Sequence, residues 1–269
     1  MSKAEPRRLA RILDPDGRYR LAQVDGDQVT PLLGDLFGET EVCGDPLALS
    51  AVTLLPPVVP SKIIGIGSNY RLHALELGKP VPDVPKMFLK PSTAVVGPGA
   101  AIALPPDTQR VDHEAELAVV IGRHACCVSR DDAMAHVLGY TCANDVTARD
   151  FQKADGVFAR AKGFDTFCPL GPWIATGIDP SDLRVRAWVD GELRQDGRTS
   201  DMVFDVATLI SFVSHVMTLL PGDVIATGTP SGVGPLRAGH VVRVEVEQVG
   251  WLENPVVDRK DRVAGGSAG

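Results

Sequence analysis

Glu114 and Glu116, two residues apart in Glu114-Ala115-Glu116-Leu117-Ala118-Val119-Val120-Ile121, are a pair whose type and spacing suggest chemistry. A strand repeats every two residues, so both carboxylates project from one face. That face continues with Ala118 and Val120, and the other carries Ala115, Leu117, Val119 and Ile121, which predicts an interior strand. Two ionised acids there repel each other and lose hydration. A hard dication bound through oxygen would compensate; the alternative is a strand that emerges at the surface with both acids solvated. Asp145 is the candidate third ligand, in the polar run Asn144-Asp145-Val146-Thr147-Ala148-Arg149-Asp150-Phe151-Gln152. It also reads as a turn residue bonded to backbone amides. His73 and Glu76 stand three apart, neighbours on a helix. A carboxylate there can orient an imidazole and make it a general base; the alternative is an exposed amphipathic helix.

The elements that must position these groups are mostly strands. Residues 8–33 alternate short apolar runs with Asp-Gly turns and predict a small meander. Prolines 56, 57 and 60 mark a linker, and residues 61–67 a short buried strand. Residues 71–78 predict a helix stopped at Gly78. Ser129 to Asp132 resembles a capping box, and Met134, Val137 and Leu138 then fall on one helical face closed by Gly139. A helix over about 206–219 is apolar nearly all round and is expected to be buried, with His215 packed and hydrogen-bonded. Residues 183–190 and 241–248 alternate as strands. The organisation read from this is a small N-terminal domain over 1–57, a catalytic domain over 58–256 and a flexible tail over 257–269.

Composition agrees with a strand-rich, mixed α+β fold. Glycine (27) and proline (21) are frequent and aromatics make up only 5%, which means many tight corners. At 269 residues and 44% apolar content a sizeable core can form. A net charge of −7 disfavours nucleic acid as a partner. The cysteines number five with no CxxC, and there is neither a secretory signal nor an apolar run of membrane length. Free thiols in a reducing cytoplasm are expected.

Four segments, VDHEAELAVVIG, GYTCANDVTARDFQ, AKGFDTFCPLGPW and LLPGDVIATGTPSGVG, occur in the order found in the fumarylacetoacetate hydrolase family, which the chain resembles over about 58–256. The resemblance implies a β-sandwich or β-roll catalytic domain behind a small N-terminal β domain. It implies that Glu114, Glu116 and Asp145 are metal ligands, and three carboxylates suit Mg²⁺ or Mn²⁺ better than Zn²⁺. His113, on the opposite strand face, is not counted. Lys162 is implied as a cation beside the substrate, and Arg149, Gln152, Thr229 and Tyr70 as substrate-side residues. His73 and Glu76 are implied as catalytic, on a segment that is a mobile lid in part of the family. Chelation of a 2-oxo acid would stabilise an enolate at C3. Hydrolysis of an acylpyruvate-type or fumarylpyruvate-type acid is the leading expectation. Isomerisation of 2-hydroxyhepta-2,4-diene-1,7-dioate comes next, then decarboxylation of oxaloacetate. A homodimer is implied as well, and a non-catalytic binding protein is disfavoured by the full set of acids and lysine.

Overall fold

The computed structural model describes residues 6–76, 78 and 80–259. The N-terminal alternation folds as an antiparallel meander of Arg8–Leu13, Tyr19–Asp25 and Gln28–Gly34. Its corners fall at the Asp-Gly pairs, with Gly17 at φ 75° and Gly26 at φ 55°, where a side chain would be strained. Among the described residues the largest sheet has 13 strands. Its main path runs from the meander through Cys168–Ala175, Val137–Asn144, Ala115–Ile121, Val224–Ala226 and Ile63–Gly67 to Lys86–Lys90. The sheet crosses the expected domain boundary, because Arg8 pairs with Ala175 and Leu9 with Ile174.

A second sheet of five strands packs against it. Leu117, Val119 and Ile121 of the first share a core with Val185, Ala187, Val244 and Val246 of the second, and with Leu209, Ile210 and Val213 of a helix. A short third sheet sets Val111–His113 between Thr147–Ala148 and Gly234–Leu236. The fold is strand-rich and mixed α+β, and every residue of Ala115–Ile121 is buried.

Two elements differ from expectation. Ser129 Oγ does accept the Asp132 amide at 3.2 Å, but the next element is a single 3₁₀ turn, Ala133–His136. Val137–Asn144 is a strand between Ala115–Ile121 and Cys168–Ala175. Gly139 is therefore mid-strand rather than a helix stop; a Cβ there would stand 2.5 Å from the Ala175 carbonyl oxygen. Pairing on both edges outweighs the helical spacing. The helix Val206–Val216 buries one face only, leaving Val216 58% exposed and His215 at the surface. His215 Nδ1 nevertheless bonds the Ser211 carbonyl at 2.8 Å. The helix Arg71–Glu76 ends before Gly78, whose φ is 64°. The tail expectation lies outside the described residues from 260 onward, while Val257 and Asp258 belong to the strand Gly250–Asp258. Among the described residues no helix is long and apolar enough to cross a membrane.

Candidate active site

Strand register brings the three acids together. Ala115 pairs with Asn144 and Glu116 with Ala143, so Glu114 and Asp145, one step beyond, stand opposite each other. Residues directly across an antiparallel pair project to the same side. The junction is pinned twice: Asp145 N–H donates to the Glu114 carbonyl, and Glu114 N–H to Asn144 Oδ1, each at 2.9 Å. The glutamate also marks the crossing between sheets, because the chain leaves Val111–His113 and enters Ala115–Ile121 there. One carboxylate oxygen from each of Glu114, Glu116 and Asp145 lies within 4.8 Å of the others, and all three residues are buried.

Cations surround two of these acids. Lys162, the last residue of the one-turn helix Ala159–Lys162, donates to Glu114 Oε2 at 2.8 Å, Asp145 Oδ2 at 2.5 Å and Thr147 Oγ1 at 2.8 Å. Arg149, opening the helix Arg149–Asp155, reaches Glu114 Oε1 at 2.5 Å, Asp112 Oδ2 at 2.8 Å and Gln152 Oε1 at 3.1 Å. The neighbouring Asp150 accepts instead from Thr108 Oγ1 and the Gln109 amide. Burial pushes the Glu114 carboxyl up, but Lys162 and Arg149 outweigh it and hold it below the usual range. Burial also works against the Lys162 charge, and Asp145 and Glu114 outweigh it and raise that pKa.

Glu116 is different. Its hydrogen bond among the described residues comes from the neutral Gly228 N–H, at 2.9 Å. Burial, then the charges of Asp145 and Glu114, raise its pKa well above the ordinary value. Three converging hard oxygens with one carboxylate lacking a bonded cation fit a Mg²⁺-like or Mn²⁺-like ion. His113 Nδ1 lies 3.0 Å from Gln195 Oε1.

The same cavity is lined by His73, Arg149, Gln152, Lys162 and Thr229. His73 Nδ1 lies 3.1 Å from Glu76 Oε2, and Glu76 Oε1 accepts the Gly232 amide at 3.0 Å, so the acid fixes the ring from one side. The turn entering this helix is tied to the opposite loop, where Asn69 Nδ2 donates to the Thr227 carbonyl at 2.7 Å. Thr229 Oγ1 donates to the Ala115 carbonyl and accepts from Gln195 Nε2, leaving the Thr229 N–H as its uncommitted donor among the described residues. Tyr70 is not among the side chains that line this cavity, but the Glu116 charge acts on it: burial, then Glu116, raise its pKa. It is 2% exposed, its backbone is bridged to Met202, and its hydroxyl has no hydrogen-bond partner among the described residues.

Several residues of the site carried no clear mark in the sequence. Lys90 Nζ is buried and donates to Asp145 Oδ1 at 2.5 Å and to the Lys162 carbonyl at 2.7 Å. Asp112 extends the period-two acid pattern by one step, and that spacing could have found it. It pairs with Arg149 and Arg110 rather than facing the triad. Gln195 accepts the Ala115 amide and His113 while donating to Thr229. Phe88 and Phe158 complete the wall.

The family described as Fumarylacetoacetate (FAA) hydrolase C-terminal matches residues 62–257, and Rv2993c-like, N-terminal matches residues 7–57. Protein Rv2993c of Mycobacterium tuberculosis is 45% identical over 93% of this chain and 98% of its own length. The mitochondrial oxaloacetate tautomerase fahd2 of Xenopus laevis is 47% identical over 78% of this chain and 70% of its own. The crystal structure of 2-hydroxyhepta-2,4-diene-1,7-dioate isomerase from Mycobacterium marinum superposes with a TM-score of 0.88 at 45% identity, covering 94% of this chain and 99% of that one. Maleylpyruvate hydrolase from Sphingobium sp. SYK-6, in complex with manganese (II) ion and pyruvate, gives 0.78 at 36% identity, covering 93% and 99%.

Proposed function

Because this chain belongs to the fumarylacetoacetate hydrolase family, we propose that its cavity acts on a short 2-oxo acid with the help of a divalent cation, hydrolysing an acylpyruvate-type C–C bond. The observation that carries this is the convergence of the Glu114–Glu116–Asp145 triad and the His73–Glu76 dyad on one cavity. The manganese and pyruvate of the Sphingobium structure support it. A homodimer, implied by the resemblance, is part of the same proposal.

A dication held by Glu114, Glu116 and Asp145 would supply Lewis acidity toward the substrate's oxygen atoms. The chain's own groups do the rest. Thr229 N–H, uncommitted among the described residues, would donate to a substrate carboxylate, and Arg149 and Gln152 would orient that end. Glu76 holds the His73 proton on Nδ1, so Nε2 is the basic nitrogen. It takes a proton from water as the water adds to the C4 carbonyl. The C3–C4 bond then breaks, its electron pair goes to the enolate spanning C2 and C3, and His73 returns the proton to C3. Lys162 faces the developing negative charge.

A second reading keeps the base and omits water: His73 moves a proton along the carbon chain, as an isomerase or tautomerase requires. The 45% identity to the Mycobacterium marinum isomerase favours it. Decarboxylation of oxaloacetate, the third expectation, would leave the dyad idle.

Acetylpyruvate incubated with the Mn²⁺-loaded or Mg²⁺-loaded protein should give acetate and pyruvate, and chelation should abolish this. His73→Ala should lower kcat by about 10²- to 10⁴-fold while Mn²⁺ affinity holds. Full hydrolysis by the variant would remove His73 as base. Proton exchange at C3 without cleavage would select the second reading.

A further inference from the structure

The cavity wall is polar except at three side chains, Ile66, Phe88 and Phe158. The two rings touch, with centroids 4.8 Å apart and planes tilted by 49°. Both lie over the Lys162 ammonium, which is 5.0 Å from the Phe88 centroid and 6.0 Å from that of Phe158. The chain makes room for them. Phe88 crosses Gly65, where a Cβ would come within 2.2 Å of its ring, so no other residue leaves space for it there. The Phe158 ring stands 3.6 Å from the Cβ position of Gly67, in ordinary contact.

We infer that Phe88 and Phe158 form the stop that sets how long an acyl chain the site accepts, with Phe158 the adjustable half. This rests on the 2-oxo acid reading of the same site. The carboxylate and oxo end of such a substrate is drawn to the triad, Lys162 and Thr229. Its hydrocarbon end has no polar partner to gain and must meet the apolar part of the wall. Phe88 has less room to move, because its ring packs onto Gly65 as well as against the Phe158 ring. Phe158 is half-buried at the N-cap of Ala159–Lys162, and its carbonyl accepts the Lys162 amide at 3.0 Å. Ring and ammonium therefore ride four residues apart on one turn. A chain that presses on Phe158 also shifts Lys162, so an over-long substrate is penalised in turnover as well as in binding.

Calorimetric titration of the Mn²⁺-loaded protein with straight-chain 2-oxo acids, from pyruvate to 2-oxooctanoate, reads the limit without catalysis. Wild-type affinity should fall once the chain reaches the rings, and Phe158→Ala should restore binding of the long acids. The ratio of kcat/KM for hexanoylpyruvate over acetylpyruvate should rise by about tenfold or more in Phe158→Ala, the size expected of methylene discrimination. Phe158→Trp should lower that ratio, each protein's affinity for the long acids being read relative to its own affinity for pyruvate. If pyruvate binds and chain length makes no difference, or if Phe158→Ala leaves the ratio unchanged, the stop is overturned and the 2-oxo acid reading stands. If no 2-oxo acid binds, both fall.

Discussion

Lys90 carries a charge into the interior with no exposed side-chain surface, and its ammonium bridges the Asp145 carboxylate and the Lys162 carbonyl. It thus ties a candidate metal ligand to the backbone of the candidate oxyanion cation. Replacing it by methionine keeps the volume but leaves Asp145 without one of its two lysines. Removing one partner of a buried pair costs about 3–5 kcal/mol, because the other charge stays desolvated. Urea unfolding of metal-free Lys90→Met should show a loss of that size, and a change within error would remove Lys90 from the support of the site. Residues such as this one were not legible in the sequence. A lysine at the end of Lys86–Lys90 reads as a strand-edge solvated charge, and only the pairing of Ile63 with Lys90 turns it inward. Glu114 and Glu116 were easier to read because a two-residue repeat is intrinsic to strands, and Asp145 as an acid in a polar run, while Lys162, Arg149, Gln152 and Thr229 came from motif resemblance alone. Gln195, set among exposed neighbours Leu193, Arg194 and Asp196, gave no signal at all.

At the scale of elements, Asp205 caps the helix Val206–Val216 by accepting the Thr208 amide at 2.8 Å, and Arg130 pairs with the same carboxylate. Burial raises the Asp205 pKa, but the Thr208 hydrogen bonds and Arg130 outweigh it, and the net shift is downward. A carboxylate with a depressed folded pKa contributes stability that is present above its unfolded pKa and is lost as pH falls through the folded value. Asp205→Ala should therefore cost about 1 kcal/mol at neutral pH. The gap between wild type and variant should close as pH drops from the ordinary aspartate range through the lowered value. Paired thermal melts from pH 7 to pH 2.5 read this, and a gap that persists at the acid end would mean the carboxylate's charge is not what caps the helix. The cap is a local device, whereas the strand Val137–Asn144 is not. Its Met134, Val137 and Leu138 spacing belongs to a helix, but Tyr140 and Cys142 alternate into a core built by distant strands. Local pattern alone could not weigh those partners.

At the scale of the whole molecule, the N-terminal strands and the site-bearing strands are one sheet. Leu9, Leu21 and Leu32 share a core cluster with Ile63, Ala118, Val120, Ile174 and Val224. Ala118 and Val120 lie on the strand that leads out of Glu116, on the face it shares, so the core under the meander reaches to the foot of the candidate metal centre. Prolines 56, 57 and 60 mark a junction in the chain, and proline spacing reports local stiffness and says nothing of sheet pairing across it. Deleting residues 1–57 would strip the pairing edge of Cys168–Ala175 and open apolar side chains such as Ile174, which is 0% exposed, to water. Bare edges and fresh apolar surface favour association between chains. The full chain should unfold in one transition, with intrinsic fluorescence and far-ultraviolet circular dichroism coinciding. The deletion variant should be aggregated or expanded in size-exclusion chromatography and should bind Mn²⁺ at least about tenfold more weakly, as expected when support around a metal site is lost. A monodisperse variant that melts cooperatively and binds Mn²⁺ like the full chain would show that the sheet is divisible where the prolines stand.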